Sequence, residues 1–235
     1  MSGINCPIYL SSMGFFIIRH LFLTLLACAA LSAPAQACRL AIALTIDVSG
    51  SIDPGEYRFQ MDGLADALED PDIAEALVMR QAAVMVMQWS GETDQKVSTP
   101  WRRMLSFDAV ADLAKEVRAT KRHWRAGKTA VGDALLFLVP EFDKVPDCTR
   151  RVIDVSGDGM TNDGQRTTLG RSLARRAGIT INGLAIDRIG QSVAQFYRRE
   201  MVTGPDHFVM SAQGYSDYPR AIRQKLYREV VVPSS

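Results

Sequence analysis

Leu40-Ala41-Ile42-Ala43-Leu44-Thr45-Ile46-Asp47-Val48-Ser49-Gly50-Ser51 is the stretch whose reading decides the fold. The run from Leu40 to Ile46 is apolar except for Thr45 and does not alternate with polar residues. That is the pattern of a parallel strand covered on both faces. It ends in a carboxylate and two hydroxyls at every second position: Asp47, Ser49 and Ser51. Loops at the carboxyl ends of parallel strands are where open α/β sheets bind ligands. All three side chains offer hard oxygen, which suits Mg²⁺ or Mn²⁺ and does not suit Zn²⁺ or Cu²⁺. The same turn would also serve as a simple helix cap, so by itself the stretch leaves both readings open.

Two distant segments add to it. Gly127-Lys128-Thr129-Ala130-Val131-Gly132-Asp133-Ala134-Leu135 opens an amphipathic helix with Val131, Leu135, Leu138 and Phe142 on one stripe. Arg151-Val152-Ile153-Asp154-Val155-Ser156-Gly157-Asp158-Gly159 is a second apolar strand that ends in Asp-Gly.

Together the three segments resemble the von Willebrand factor type A (vWA) domain, and the resemblance runs over residues 39–231. In that family an Asp-x-Ser-x-Ser loop, a Thr on a second loop and an Asp-Gly after the fourth strand form a metal-ion-dependent adhesion site (MIDAS). The resemblance implies that Asp47, Ser49, Ser51, Thr129 and Asp158 are metal ligands and that the cofactor is Mg²⁺ or Mn²⁺. It also implies an α/β fold: a doubly wound, mostly parallel six-stranded sheet flanked by helices on both faces, in the order 3-2-1-4-5-6. The chain departs from the family at Lys128, where a second Gly is common, and at Gly157, where Thr is common. The segment Val152 to Gly164 is similar to an uncharacterised bacterial branch of vWA-like secreted proteins, which brings no activity with it.

Residues 1–37 read as a secretory signal peptide. Arg19-His20 precedes the apolar run Leu21 to Ser32, and Ala35-Gln36-Ala37 is a small-x-small cleavage site. The run is short for a membrane span. Either Met1 or Met13 can serve as the start. Residues 38–235 then form a single vWA-like domain, periplasmic or secreted, without a membrane span. Arg19 is the only acidic or basic side chain before Cys38, except for His20, so acidic and basic groups balance in the remainder. That balance speaks against a nucleic-acid partner. The basic run Lys121-Arg122-His123-Trp124-Arg125, with Lys128, reads either as a solvated helix end or as a basic rim that steers an acidic ligand.

Cys38 and Cys148 remain after cleavage, in an oxidising compartment. Each precedes a strand that ends in a ligand loop. The family's sheet order makes those strands neighbours, so the resemblance implies a Cys38–Cys148 disulfide at the end of the sheet away from the metal.

Strand and helix patterns alternate along the chain. Asp53-Pro54-Gly55-Glu56 reads as a capped helix start, followed by the stripe Tyr57, Met61, Leu64, Ala65 and Leu68. Strands are expected at 81–89, 96–104, 179–186 and 207–210. Helices are expected at 107–120 and 219–230, the latter with Ile222, Leu226 and Val230 inward. Leu169, Leu173, Ala174 and Ala177 mark one more, ending at Gly178.

Rival chemistries find little support. The P-loop glycine is missing before Gly127-Lys128, and no Gly-x-Ser-x-Gly exists. Only His123 and His207 remain for a histidine triad. Asp154 interrupts a buried strand and must be paired or hydrogen-bonded there. Asp163 and Asp187 read as turn residues near the same edge. The expected function is a metal-dependent protein-binding module, not an enzyme, that bridges an Asp or Glu of a protein partner through a divalent cation. The alternatives are a Mg²⁺-dependent phosphoester hydrolase and a structural subunit with an unused site.

Overall fold

The computed structural model describes residues 38–187 and 192–231. The signal-peptide expectation for residues 1–37 lies outside them.

Among the described residues, six strands are present: β1 (Leu40–Asp47), β2 (Ala83–Trp89), β3 (Gln95–Arg103), β4 (Arg150–Gly157), β5 (Thr180–Asp187) and β6 (Val209–Gln213). Their order in the sheet is β3-β2-β1-β4-β5-β6. All neighbours are parallel except β2 and β3, which form an antiparallel edge. This is the doubly wound vWA/Rossmann-like architecture that the sequence implied. The apolar run of β1 is explained by its place: it is central and buried along its whole length. The edge strand β3 is polar and half-exposed, which discourages pairing with another chain.

Among the described residues, seven helices flank the sheet: α1 (Pro54–Leu68), α2 (Pro71–Met79), α3 (Phe107–Ala119), α4 (Val131–Glu141), α5 (Thr167–Arg176), α6 (Val193–Phe196) and α7 (Tyr218–Val230). A π-helical turn, Tyr197–Met201, continues α6. Side chains alternate across the strands. Leu40, Ile42, Leu44 and Ile46 pack with α1, α2, α3 and α7, while Ala41 and Ala43 pack with α4, α5 and α6. Helix α1 starts as the sequence predicts. Asp53 Oδ1 accepts the Glu56 amide, and Glu56 Oε2 accepts the Asp53 amide, both at 2.8 Å.

The structure corrects several local expectations. Helix α2 was not anticipated; Asp70 caps it through the amides of Asp72 and Ile73. Strand β6 starts later than expected, because the Phe208 amide goes to the Asn182 side chain at 3.0 Å and not to the ladder. In α5, Leu169 is exposed and the buried positions are Thr167, Gly170 and Ala174. The reason is close packing on α4: a Cβ at Gly170 would stand 2.5 Å from the Leu135 Cβ. Small residues let the helices approach and turn Leu169 outward, while Leu173 stays partly buried against the core.

Cys38 and Cys148 form a disulfide with their Cα atoms 4.4 Å apart. They sit where β1 and β4 begin, in the register Leu40 to Arg150, at the end of the sheet opposite Asp47.

Candidate metal centre

Asp47 is the last residue of β1 and is fully buried. Its Oδ1 accepts the Ser49 amide at 2.8 Å, an Asx turn that folds the loop back over the strand end. Its Oδ2 is buried and has no hydrogen-bond partner among the described residues. Burial pushes the carboxyl up to about 7, and the nearby Asp158 charge adds to that push against the Ser49 N–H.

The other four residues come to the same edge. The Ser49 and Ser51 hydroxyls are 3.2 Å apart, and Ser51 Oγ donates to Asp158 Oδ1 at 2.8 Å. Thr129 is buried just before α4. Its amide donates to Asn162 Oδ1 at 2.9 Å, and the Asn162 amide donates to the Thr129 carbonyl at 3.0 Å. The Gly50 amide donates to the Gly127 carbonyl at 2.9 Å, tying the first loop to the second. Ser49, Ser51, Thr129 and Asp158 line a depression of about 420 Å³, and Asp47 is joined to it through Ser49.

The donor set is oxygen only: two carboxylates and three hydroxyls. It matches the preference of a hard divalent cation. The unpartnered Asp47 Oδ2 gives a second, independent sign of fit, because a buried carboxylate oxygen without a donor is costly unless a cation or proton satisfies it.

Several residues that shape the site were not read from the sequence. Arg122 is the main correction. It is not a rim charge, because its guanidinium reaches under the first loop. Nη1 donates to the Ile52 carbonyl at 2.5 Å, and Nη2 to the carbonyls of Val48 and Ser49 at 2.9 and 2.8 Å. Gln60 Nε2 donates to the Asp47 carbonyl at 3.2 Å from α1. Asn162 carries the Thr129 clip described above. Nothing in a single sequence marks such groups, since their partners are backbone atoms far along the chain.

Gly157 acquires a reason. A Cβ there would stand 2.7 Å from the Tyr197 hydroxyl and 2.9 Å from Asp47 Oδ2. Tyr197, carried on the π-helical turn, thus occupies the space that a side chain at position 157 would need. Burial raises the Tyr197 hydroxyl well above its ordinary value, and the Asp47 charge adds to that, so it stays protonated. Lys128 lies outward, 3.3 Å from Asp163 Oδ1.

Three further acids have structural roles. Asp163 Oδ2 accepts the Glu92 amide at 3.1 Å, and this bond and Lys128 hold its carboxyl below the usual range. Asp187 Oδ1 accepts the Ala194 amide at 3.2 Å. Asp154 points to the other face of the sheet, where its Oδ2 lies 2.5 Å from Lys225 Nζ. Lys225 also contacts Glu229 Oε1 at 2.9 Å, and Asn182 Nδ2 donates to the same oxygen at 2.7 Å. Burial, with the Glu229 charge, pushes the Asp154 carboxyl up despite Lys225.

The chain matches the family described as Protein of unknown function (DUF1194) over residues 37–234, and it belongs to that family. No curated protein matches its sequence. Among solved structures it is similar to proximal thread matrix protein 1 from the mussel byssus, with a TM-score of 0.63 and 16% identity over 81% of this chain and 47% of that one. A second structure of that protein, with a zinc-occupied MIDAS motif, gives a TM-score of 0.59 and 15% identity over 83% and 46%. A von Willebrand factor type A protein from Catenulispora acidiphila gives 0.60 and 16% identity over 83% and 43%. This chain therefore spans less than half the length of each of these structures, and the likeness establishes a shared vWA fold.

Proposed function

We propose that the protein is an exported, metal-dependent binding module that holds a protein partner through a divalent cation. The observation that carries this reading is the convergence of Asp47, Ser49, Ser51, Thr129 and Asp158 at one sheet edge, with a buried Asp47 oxygen left without a donor. In this reading these five residues are the metal ligands, directly or through water. The vWA fold of the neighbours and the zinc-occupied MIDAS motif of one of them support it.

A bound Mg²⁺ or Mn²⁺ would supply an open coordination position for an Asp or Glu side chain of the partner. The chain's own residues do the rest. Arg122 fixes the loop carbonyls, Asn162 fixes Thr129, and Tyr197 backs Gly157. The site is thus preorganised, which lowers the ordering cost of binding. The Cys38–Cys148 disulfide supports export, and residues 1–37 as a signal peptide complete that part of the proposal.

Capture from periplasmic extract on the immobilised protein tests the function. A partner should be retained in Mg²⁺, released by chelator and absent with Asp47→Ala. Metal-dependent turnover of a phosphoester by the pure protein, abolished by the same substitution, would instead favour a hydrolase.

A further inference from the structure

A second depression adjoins the metal centre. It has a volume of about 770 Å³, and its lining includes Met160, Thr161, Arg166, Phe196, Arg199 and Glu200, with neutral Thr, Ser and Gln side chains among them. Met160 and Thr161 line the metal-centre depression as well, so the two adjoin across these residues. One wall is the segment from β4 into α5; the other is α6 and its π-helical turn. The volume lies within the range of ligand sites and far exceeds what one carboxylate needs.

Beside its neutral polar side chains, the lining carries an apolar part and a charged part. Met160 is 51% exposed at the junction with the metal edge, and Phe196 is half-buried across from it, an apolar floor open to solvent. Arg166 and Arg199 are exposed on opposite walls. Glu200 Oε1 lies 3.8 Å from Arg199, which leaves Arg166 as the positive excess of the lining. Arg171 Nη1 donates to the Arg199 carbonyl at 2.8 Å and so fixes the wall that carries Phe196 and Arg199. The π-helical turn sets this division. It sends Tyr197 inward toward Asp47 and leaves Phe196, Arg199 and Glu200 on the groove.

We propose that this groove receives an extended acidic segment of the partner protein, whose first carboxylate reaches the metal, whose large apolar side chain lies between Met160 and Phe196, and whose second carboxylate meets Arg166 and Arg199. The proposal rests on the metal-dependent reading above and names the partner's chemistry. The charge is complementary to an acidic segment, and the guanidinium groups suit carboxylates in particular. The apolar floor selects a peptide over an anionic polysaccharide, which has no side chain to place there. A single ion bridge gives little specificity, whereas three spaced contacts in one groove do.

A randomised dodecapeptide library, selected on the immobilised protein in Mg²⁺, tests this. Enriched peptides should carry two acidic residues flanking a large apolar one. They should bind only with Mg²⁺ present and weaken at least tenfold on an Arg166→Glu/Arg199→Glu variant and on Phe196→Ala. Both variants should bind Mg²⁺ as the wild type does by calorimetry, which shows that fold and metal edge are intact. Metal-dependent peptides indifferent to the groove variants would overturn the groove and leave the metal reading standing. Binding that survives chelator would sink the metal reading and the two-point attachment with it. Failure to enrich any peptide, or binding of an oligouronate in preference to peptides, would also overturn it.

Discussion

Two groups of buried carboxylates flank the central strands, and they are satisfied in opposite ways. On the α7 face, Asp154 and Glu229 enclose a cation that the chain itself supplies, Lys225, at 2.5 and 2.9 Å. At the carboxyl edge, Asp47 is equally buried but is surrounded by hydroxyls, backbone amides and a second acid. No lysine or arginine makes an ion pair with it among the described residues, and Arg122, which reaches that loop, spends its guanidinium on carbonyls. The difference teaches that burial of an acid in this fold goes with a matched cation. Where the chain supplies none, the proposed metal reading has the cation come from solution.

The disulfide supplies a baseline that touches neither group. It closes a loop with a sequence separation of 110. Chain entropy then predicts that Cys38→Ala/Cys148→Ala lowers stability by about 4–5 kcal/mol. Urea unfolding should show this while Mg²⁺ affinity, measured on the folded variant, stays unchanged. A lost metal affinity would mean that the two ends of the sheet are coupled.

Next in size is Lys225→Met. It leaves Asp154 and Glu229 buried without their cation and should cost about 3–5 kcal/mol in chemical unfolding. Neither added Mg²⁺ nor Mn²⁺ should replace the ammonium there. Recovery by metal would erase the distinction between the two groups.

Asp47→Asn is the mirror experiment. It removes a buried charge that has no internal cation, so the metal-free protein should be no less stable above pH 7. What it should lose is the metal-dependent gain, about 2.7 kcal/mol when the ion is at 100 times its dissociation constant. A large loss of metal-free stability would place Asp47 with Asp154 as a structural acid.

The sequence made much of this visible, for reasons that can be traced to particular residues. The central strand β1 announced itself because burial on both faces removes alternation. Asp47, Ser49 and Ser51 stood out as oxygen donors at alternate positions after a buried strand, whereas Thr129 and Asp158 joined them only through the resemblance to the vWA family. Asp154 stood out as a carboxylate inside an apolar run, but its partner did not. Lys225 and Glu229 lie four residues apart on a helix whose charged positions read as solvent-facing. Arg122 and Asn162 stayed hidden because they bond backbone atoms of distant loops. In the α5 stripe Leu173 and Ala174 face the core as read, and Leu169 does not, because Gly170 and Gly132 allow a helix approach that apolar periodicity does not encode.

The smallest effect is a pH dependence. With its carboxyl raised to about 7, Asp47 holds a proton in the metal-free protein below that pH. Because the folded value lies above the unfolded one, this group's contribution to metal-free stability is full below pH 4 and is lost as pH rises through 7. Metal must displace that proton, so affinity should rise about tenfold per pH unit below 7 and level off above it. Calorimetric titrations at pH 5.5, 6.5 and 7.5 give the slope; a flat profile would mean that Asp47 is already ionised without the metal.

The most direct test of the central claim is thermal unfolding of the wild-type protein in Mg²⁺, in Mn²⁺ and in chelator, paired with calorimetric titration of each ion. The account predicts one binding site per chain and a melting temperature several degrees higher with either ion, a gain absent from Asp47→Asn. Identical melting temperatures in all three conditions, with no heat of binding, would contradict it.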